Sequence, residues 1–193
     1  MHKRMIAVTL ALLVAAVAPS LAKDMTGKVS LGFHNSDAPL GGRYWVNNMV
    51  AVDAGLGFSS AEVPDSDPLT ESETVNAFSF WFEGGVPIKL YDADNAHFFF
   101  RPSVVLGLLD DRAYGSAYGA GYADAKWTSV DFVLSLGGEL FFGDHFSVEA
   151  THGLKINTTS VPDDVKEDVG ADSFTSVSTF GNNLTTIGFH FYF

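Results

Sequence analysis

Between Lys126 and Phe142 the chain alternates residue by residue, and this pattern constrains the fold more than any other feature. Val130, Phe132, Leu134, Leu136 and Leu140 fall on one side, and Ser129, Asp131, Val133, Ser135, Gly137 and Glu139 on the other. Successive side chains of an extended strand point to opposite faces, so a period of two marks strands rather than helices. The stretch from Phe146 repeats it. Phe146, Val148, Ala150, His152, Leu154 and Ile156 alternate with Ser147, Glu149, Thr151, Gly153 and Lys155. The last residues repeat it again, with Ile187, Phe189, Phe191 and Phe193 opposite Thr186, Gly188, His190 and Tyr192. Each strand therefore carries one large apolar face and one face that is small, polar or charged.

Such strands can bury either face. A soluble sandwich would hide the 17 phenylalanines in a core, whereas a membrane barrel turns them outward to lipid. Eight strands are expected, near 27–34, 39–46, 49–58, 74–90, 97–109, 126–142, 146–157 and 182–193. Tight turns at Asn47-Asn48, Tyr91–Ala96 and Gly143–His145 alternate with longer connections at 59–73, 110–125 and 158–181 and a shorter one at 35–38. Short turns at one end and long polar loops at the other are the habit of outer-membrane barrels. Closure also removes the exposed sheet edges of a sandwich. Aromatic residues near the turns (Tyr44, Trp45, Tyr91, Phe98 to Phe100, Phe141, Phe142 and Phe146) read as an interfacial girdle. The fold expected is all-β, an eight-stranded antiparallel transmembrane β-barrel following an N-terminal signal peptide.

The signal peptide is read over residues 1–22. Basic residues (Lys3, Arg4) precede an apolar run from Met5 to Ala18, then Pro19, with Ser20 and Ala22 as small residues before the cleavage point. That run of 14 residues falls short of the roughly 20 a membrane-spanning helix requires. Residues 23–193 form the single barrel domain, with 9 basic against 23 acidic residues once Lys3 and Arg4 are removed. A domain so acidic cannot neutralise phosphates, so nucleic acid is excluded as a partner. With no cysteine there is neither a disulfide scaffold nor a lipid-anchor thiol.

The chain resembles the small OmpA/OmpW-like and opacity-like outer membrane β-barrel family over essentially all of residues 23–193. Three features carry the likeness. The terminal Ile-Gly-Phe-His-Phe-Tyr-Phe (Ile187 to Phe193) is similar to the aromatic signature read by the barrel-insertion machinery. Gly41 to Asn48, running into Val50–Phe58, is similar to an early hairpin of these proteins, and aromatic–turn–aromatic hairpins recur. The resemblance implies the outer membrane of a Gram-negative bacterium. It also implies Phe189, Phe191 and Phe193 as the C-terminal insertion signal, with membrane lipid, lipopolysaccharide and the insertion machinery as partners of a monomer.

Extending the alternation puts Lys28, Arg43, Asp53, Glu83, Lys89, Arg101, Asp131, Glu139, Glu149 and Lys155 on the inward face. An eight-stranded barrel has an interior just wide enough for side chains, and buried charges must be paired. A lumenal network of Arg43 and Arg101 among Asp53, Glu83, Asp131, Glu139 and Glu149 is expected, with the pairing left open.

No catalytic or cofactor site is expected. A lipid-facing hydrolase needs a nucleophile, a base and an orienting acid within reach. Beside His152, position 154 is leucine, and Ser160 lies further along the chain. Asp163, Asp164, Glu167, Asp168 and Asp172 lack a calcium-loop pattern, and His34, His97, His145 and His190 lack zinc spacing. The two Asn-x-Thr sequons, at Asn157 and Asn183, are coincidental in a bacterial setting. The stretch 110–125, with Gly115, Gly119 and Gly121 among Tyr114, Tyr118 and Tyr122, suits contact with a host or other surface. The function expected is non-enzymatic, structural or surface-interacting. The alternative is a narrow porin-like conduit or binder for small, including hydrophobic, molecules.

Overall fold

The computed structural model describes residues 23–33, 37–64, 74–110, 126–163, 166–179 and 184–193. The signal-peptide reading, His34, Asp164, Asn183 and the Gly/Tyr stretch fall outside them. The strands are β1 (Val29–Phe33), β2 (Leu40–Trp45), β3 (Ala51–Pro64), β4 (Thr74–Gly85), β5 (Ile88–Asp92), β6 (Ala96–Asp110), β7 (Lys126–Phe142), β8 (Phe146–Ser160), β9 (Ser173–Ser178) and β10 (Thr185–Tyr192). Among the described residues one short helix, α1 (Lys166–Val169), precedes β9. All pairings are antiparallel, and β10 meets both β8 and β1, closing the sheet into a barrel.

The ten described strands make eight walls. Strands β4 and β5 share one, because Pro87 has no N–H to return to Ala51 on β3 and Pro102 on β6 has none to return to Val86; β5 then resumes on β6. Strands β9 and β10 share another. The first pairs with Lys155–Ser160 of β8 and the second with Phe146–His152.

The eight-strand expectation holds, with three corrections. The strand read over 74–90 is two, β3 runs on to Pro64, and the loop read over 158–181 contains the end of β8, α1 and β9. Ser59, Ser60 and the Ser/Thr-rich run of β9 carry no apolar alternation. Backbone pairing to 78–79 and to β8, rather than side-chain pattern, makes them strands.

Tight turns join β2 to β3, β5 to β6 and β7 to β8. At the first, the Asn47 side-chain oxygen accepts from the N–H groups of Met49 and Val50, an Asx turn. At the third, Gly143 sits at φ 78°, a left-handed conformation that glycine adopts without strain.

The alternation sorts the side chains as expected. Leu31, Leu56, Phe58, Phe78, Leu108, Phe132, Leu136, Phe189 and Phe191 are exposed on the outer face. Inside, small apolar clusters bracket a polar middle. Met25, Trp45, Ala51, Phe141 and Tyr192 fill the tight-turn end. Ala38, Trp81, Val105 and Val133 lie further up the strands, and Trp127 with Val161 packs near the opposite rim. Trp45, Phe99 and Phe141 are thus interior residues and not part of an aromatic girdle. Their neighbours Tyr44, Phe98 and Phe142 are the ones that point outward.

Candidate functional site: an ionic plug across the barrel

Two arginines organise the middle of the interior. Arg43, on β2, places Nη1 3.0 Å from Glu139 on β7, and Nη2 3.2 Å from Asp53 on β3 and 2.9 Å from Glu149 on β8. Arg101, on β6, places Nη2 2.7 Å from Asp53 and Nη1 2.6 Å from Glu83 on β4. Asp53 therefore bridges both guanidinium groups. Every one of these side chains is almost completely removed from solvent. A planar guanidinium with several donors can serve two or three carboxylates at once, which a lysine ammonium does with less geometric definition.

The carboxylates have further partners. His97 Nε2 lies 2.9 Å from Glu139 and His190 Nε2 3.3 Å from Glu149. Tyr192 donates its hydroxyl to Glu139 at 2.8 Å, and Ser147 donates to the same carboxylate. Ser30 Oγ lies 3.3 Å from His190 Nδ1. Counting Ser30 on β1 and His190 and Tyr192 on β10, all eight walls contribute to one connected cluster. Charges taken out of water are tolerated only when paired; each carboxylate of the cluster has an arginine partner, while Glu83 Oε2 accepts no hydrogen bond among the described residues.

The inner strand face opens a space for the cluster at Gly85. A Cβ there would stand 2.5 Å from Asp53 Oδ1 and 2.7 Å from Arg101 Cζ. Gly85→Ala is expected to destabilise the barrel by about 1–3 kcal/mol through overpacking. Gly84→Ala, with no atom within 4 Å of its Cβ, should leave stability unchanged. Urea titration of the two refolded variants in detergent checks the contrast.

Six of the seven expected network residues, Arg43, Asp53, Glu83, Arg101, Glu139 and Glu149, come together. Asp131 does not. It pairs with Lys155 at 3.3 Å and with Asn157, further up the barrel. Lys89 is also separate, 2.7 Å from Asp92 at the tight-turn end, and half-buried Lys28 joins no ion pair of the cluster. His97, His190, Tyr192 and Ser147 are the members that sequence reasoning passed over. His190 and Tyr192 already stood on the inward face of the last strand. His97 sits directly opposite Glu139 in the β6–β7 register.

On the outer face, His152 is exposed, with Nδ1 2.8 Å from the Thr185 hydroxyl. No carboxylate contacts that imidazole among the described residues, so the pair lacks an orienting acid. In the acidic stretch, Lys166 reaches Asp163 at 2.6 Å and Asp172 at 3.7 Å. Its hydrogen bond and charge hold the exposed Asp163 carboxyl below the ordinary value. Among the described residues no group of three or more His, Asp or Glu side chains is placed to hold a metal ion.

Comparison with protein-family models, curated proteins and solved structures finds no match to the chain.

Proposed function

We propose that this chain is a non-enzymatic β-barrel of the bacterial outer membrane, with an interior that is a sealed ionic core rather than a passage. Its role is to stabilise the envelope and to present loops at the cell surface. One observation carries the reading: the distribution of polarity is inverted. Phenylalanine, leucine and valine side chains stand exposed around the circumference, while arginine, aspartate and glutamate are fully buried at the centre. A soluble monomer seldom exposes an apolar patch larger than a few hundred Å², whereas an acyl-chain environment requires such a belt. Closure supports the same reading, because in hydrocarbon every backbone N–H and C=O needs a partner within the structure.

In this reading the tight turns and both ends of the barrel domain face the periplasm. Phe189, Phe191 and Phe193, all outward and exposed, present an apolar C-terminal edge to the insertion machinery. The purified chain should fold only when micelles or vesicles are supplied. Circular dichroism and resistance to protease, followed with and without detergent, measure this. A stable monomer in plain buffer would sink the membrane assignment. Conductance separates the sealed core from the alternative, a narrow conduit. Wild-type protein in a planar bilayer should stay at baseline, and a steady unitary current would replace the plug with a pore.

A further inference from the structure

We propose that the chain pairs with a second copy of itself in the membrane through the outer face of β8 and β10, with His152 and Thr185 at the centre of the contact. The inference rests on the membrane reading and replaces the monomer that the family likeness implies. On β7 the outward residues are apolar from Val130 to Phe142 apart from Gly138, and Leu136 stands midway among them. His152 lies beside Leu136 in the β7–β8 register, and Thr185 lies on its other side in the β8–β10 register. Both are exposed. Apolar side chains flank the pair: Leu136 across the β7 ladder, Ala150 and Leu154 along β8, and Ile187 along β10. The outer face of β3, across the barrel, is plainer. It turns Val52, Ala54, Leu56 and Phe58 outward, with no polar side chain among them.

Position in the belt decides what can meet this pair. From Leu136 either end of the apolar run is six residues of strand away, roughly 20 Å at the rise of an extended chain. Lipid headgroups do not come to that depth, and acyl chains carry no hydrogen-bonding atom. Nδ1 of His152 is engaged, 2.8 Å from the Thr185 hydroxyl. No described residue bonds Nε2, and a polar atom left unpaired in hydrocarbon is costly. A second copy removes that cost. Two copies related by a two-fold axis along the membrane normal sit at equal depth, so each His152 meets the level of its twin. The chemistry is self-complementary too. A ring nitrogen and a hydroxyl each donate or accept, so Nε2 of one copy can bond His152 or Thr185 of the other. Next to His152 on the tight-turn side, Gly138 and Ala150 face each other in register. Neither projects a long side chain, so the two walls can approach closely, as membrane segments do where small residues meet.

The chain has no cysteine, so single introduced cysteines report contacts without background. The full chain is reconstituted in phosphatidylcholine vesicles at high dilution and treated with a short thiol-to-thiol cross-linker. Ala150→Cys should give a cross-linked dimer, and Leu56→Cys on the opposite wall should not. Energy transfer between dyes on Asp144→Cys, in the exposed β7–β8 turn, gives the dissociation constant. His152→Leu puts an apolar residue on an apolar surface and should fold as the wild type does. It should raise the constant about tenfold, the effect of losing hydrogen bonds between membrane segments. Thr185→Val, which removes the hydroxyl holding the imidazole, should raise it by less. A wild type that stays monomeric in the vesicles overturns the pairing, and so does an unchanged constant for His152→Leu. Equal cross-linking at Ala150→Cys and Leu56→Cys overturns the choice of wall. Each of these results leaves the membrane reading standing if the wild type still needs detergent or lipid to fold. A wild type that folds in plain buffer removes that reading by itself.

Discussion

Arg43→Met is expected to destabilise the folded barrel by about 3–5 kcal/mol, the range for leaving a buried charge without its partner. Glu139 would retain His97, Tyr192 and Ser147, and Asp53 would retain Arg101. Glu149 would be left with the His190 imidazole, 3.3 Å away, in place of a guanidinium, so the penalty concentrates there. Adding Glu149→Gln should therefore recover part of the loss, and a double-mutant cycle gives the coupling directly. Urea titration of protein refolded into vesicles supplies the midpoints. A water-filled passage would predict something different. Solvent would hydrate the orphaned carboxylates, the midpoint would move by well under what burial demands, and conductance would change instead. An unchanged midpoint accompanied by an altered current would overturn the plug.

The second large effect separates the two faces of β7. Phe132 is outward and exposed, near the middle of the strand, whereas Ser135 is inward, with its hydroxyl donated to the Arg101 carbonyl at 3.1 Å. Phe132→Arg should cost about 2–4 kcal/mol in a bilayer, the range for a cation at the midplane of a lipid-facing strand. Moving the same substitution toward the rim, to Thr128→Arg, should bring the penalty close to zero. Ser135→Arg obeys another rule. It inserts a guanidinium beside Arg101 in an interior already filled, so its penalty comes from crowding and like charge and does not depend on lipid. Refolding all three into vesicles of thin and thick hydrocarbon distinguishes the two. The Phe132 penalty should track thickness and the Ser135 penalty should not. Identical responses would mean that the outer face does not meet acyl chains.

How far the sequence carried these conclusions depends on what parity alone can tell. Side-chain parity assigned every interior charge of the plug to the correct face, because it depends only on counting by twos. It does not give height, which depends on how far each strand is shifted against its neighbour. Asp131 shows the limit. It shares a face with Glu139, but eight residues of strand separate them, roughly 26 Å at the rise of an extended chain. One cluster could not hold both, and that much was legible. The meeting of His97 with Glu139 was not, since it needs the β6–β7 register. Strand β9 was hidden for another reason. Its Ser173-Phe174-Thr175-Ser176-Val177-Ser178 has no two-residue apolar rhythm, and it becomes a strand because β8 extends far enough to offer it a partner. Trp45, Phe99 and Phe141 lay on the inward parity, yet their bulk near the turns suggested a girdle. In the fold Trp45 and Phe141 fill the tight-turn end with Met25, and the Phe99 ring lies beneath the Arg43 guanidinium.

The cylinder is joined unevenly around its circumference. Strands β6 and β7 stay in register from Ala96 to Asp110, but among the described residues β1 meets β10 only from Ser30 to Phe33, with Phe193 N–H adding one bond to the Val29 carbonyl. The long ladders join neighbours in the chain, while the brief one joins residues more than 150 positions apart. Loop-closure entropy therefore opposes the contact with the fewest bonds to offset it. Assembly then has a natural order: a curled sheet grows outward from β6–β7–β8, and the first and last strands meet at the end. The reverse holds for disassembly, which begins as an unzipping along that single line while the ionic centre is still intact on its other walls.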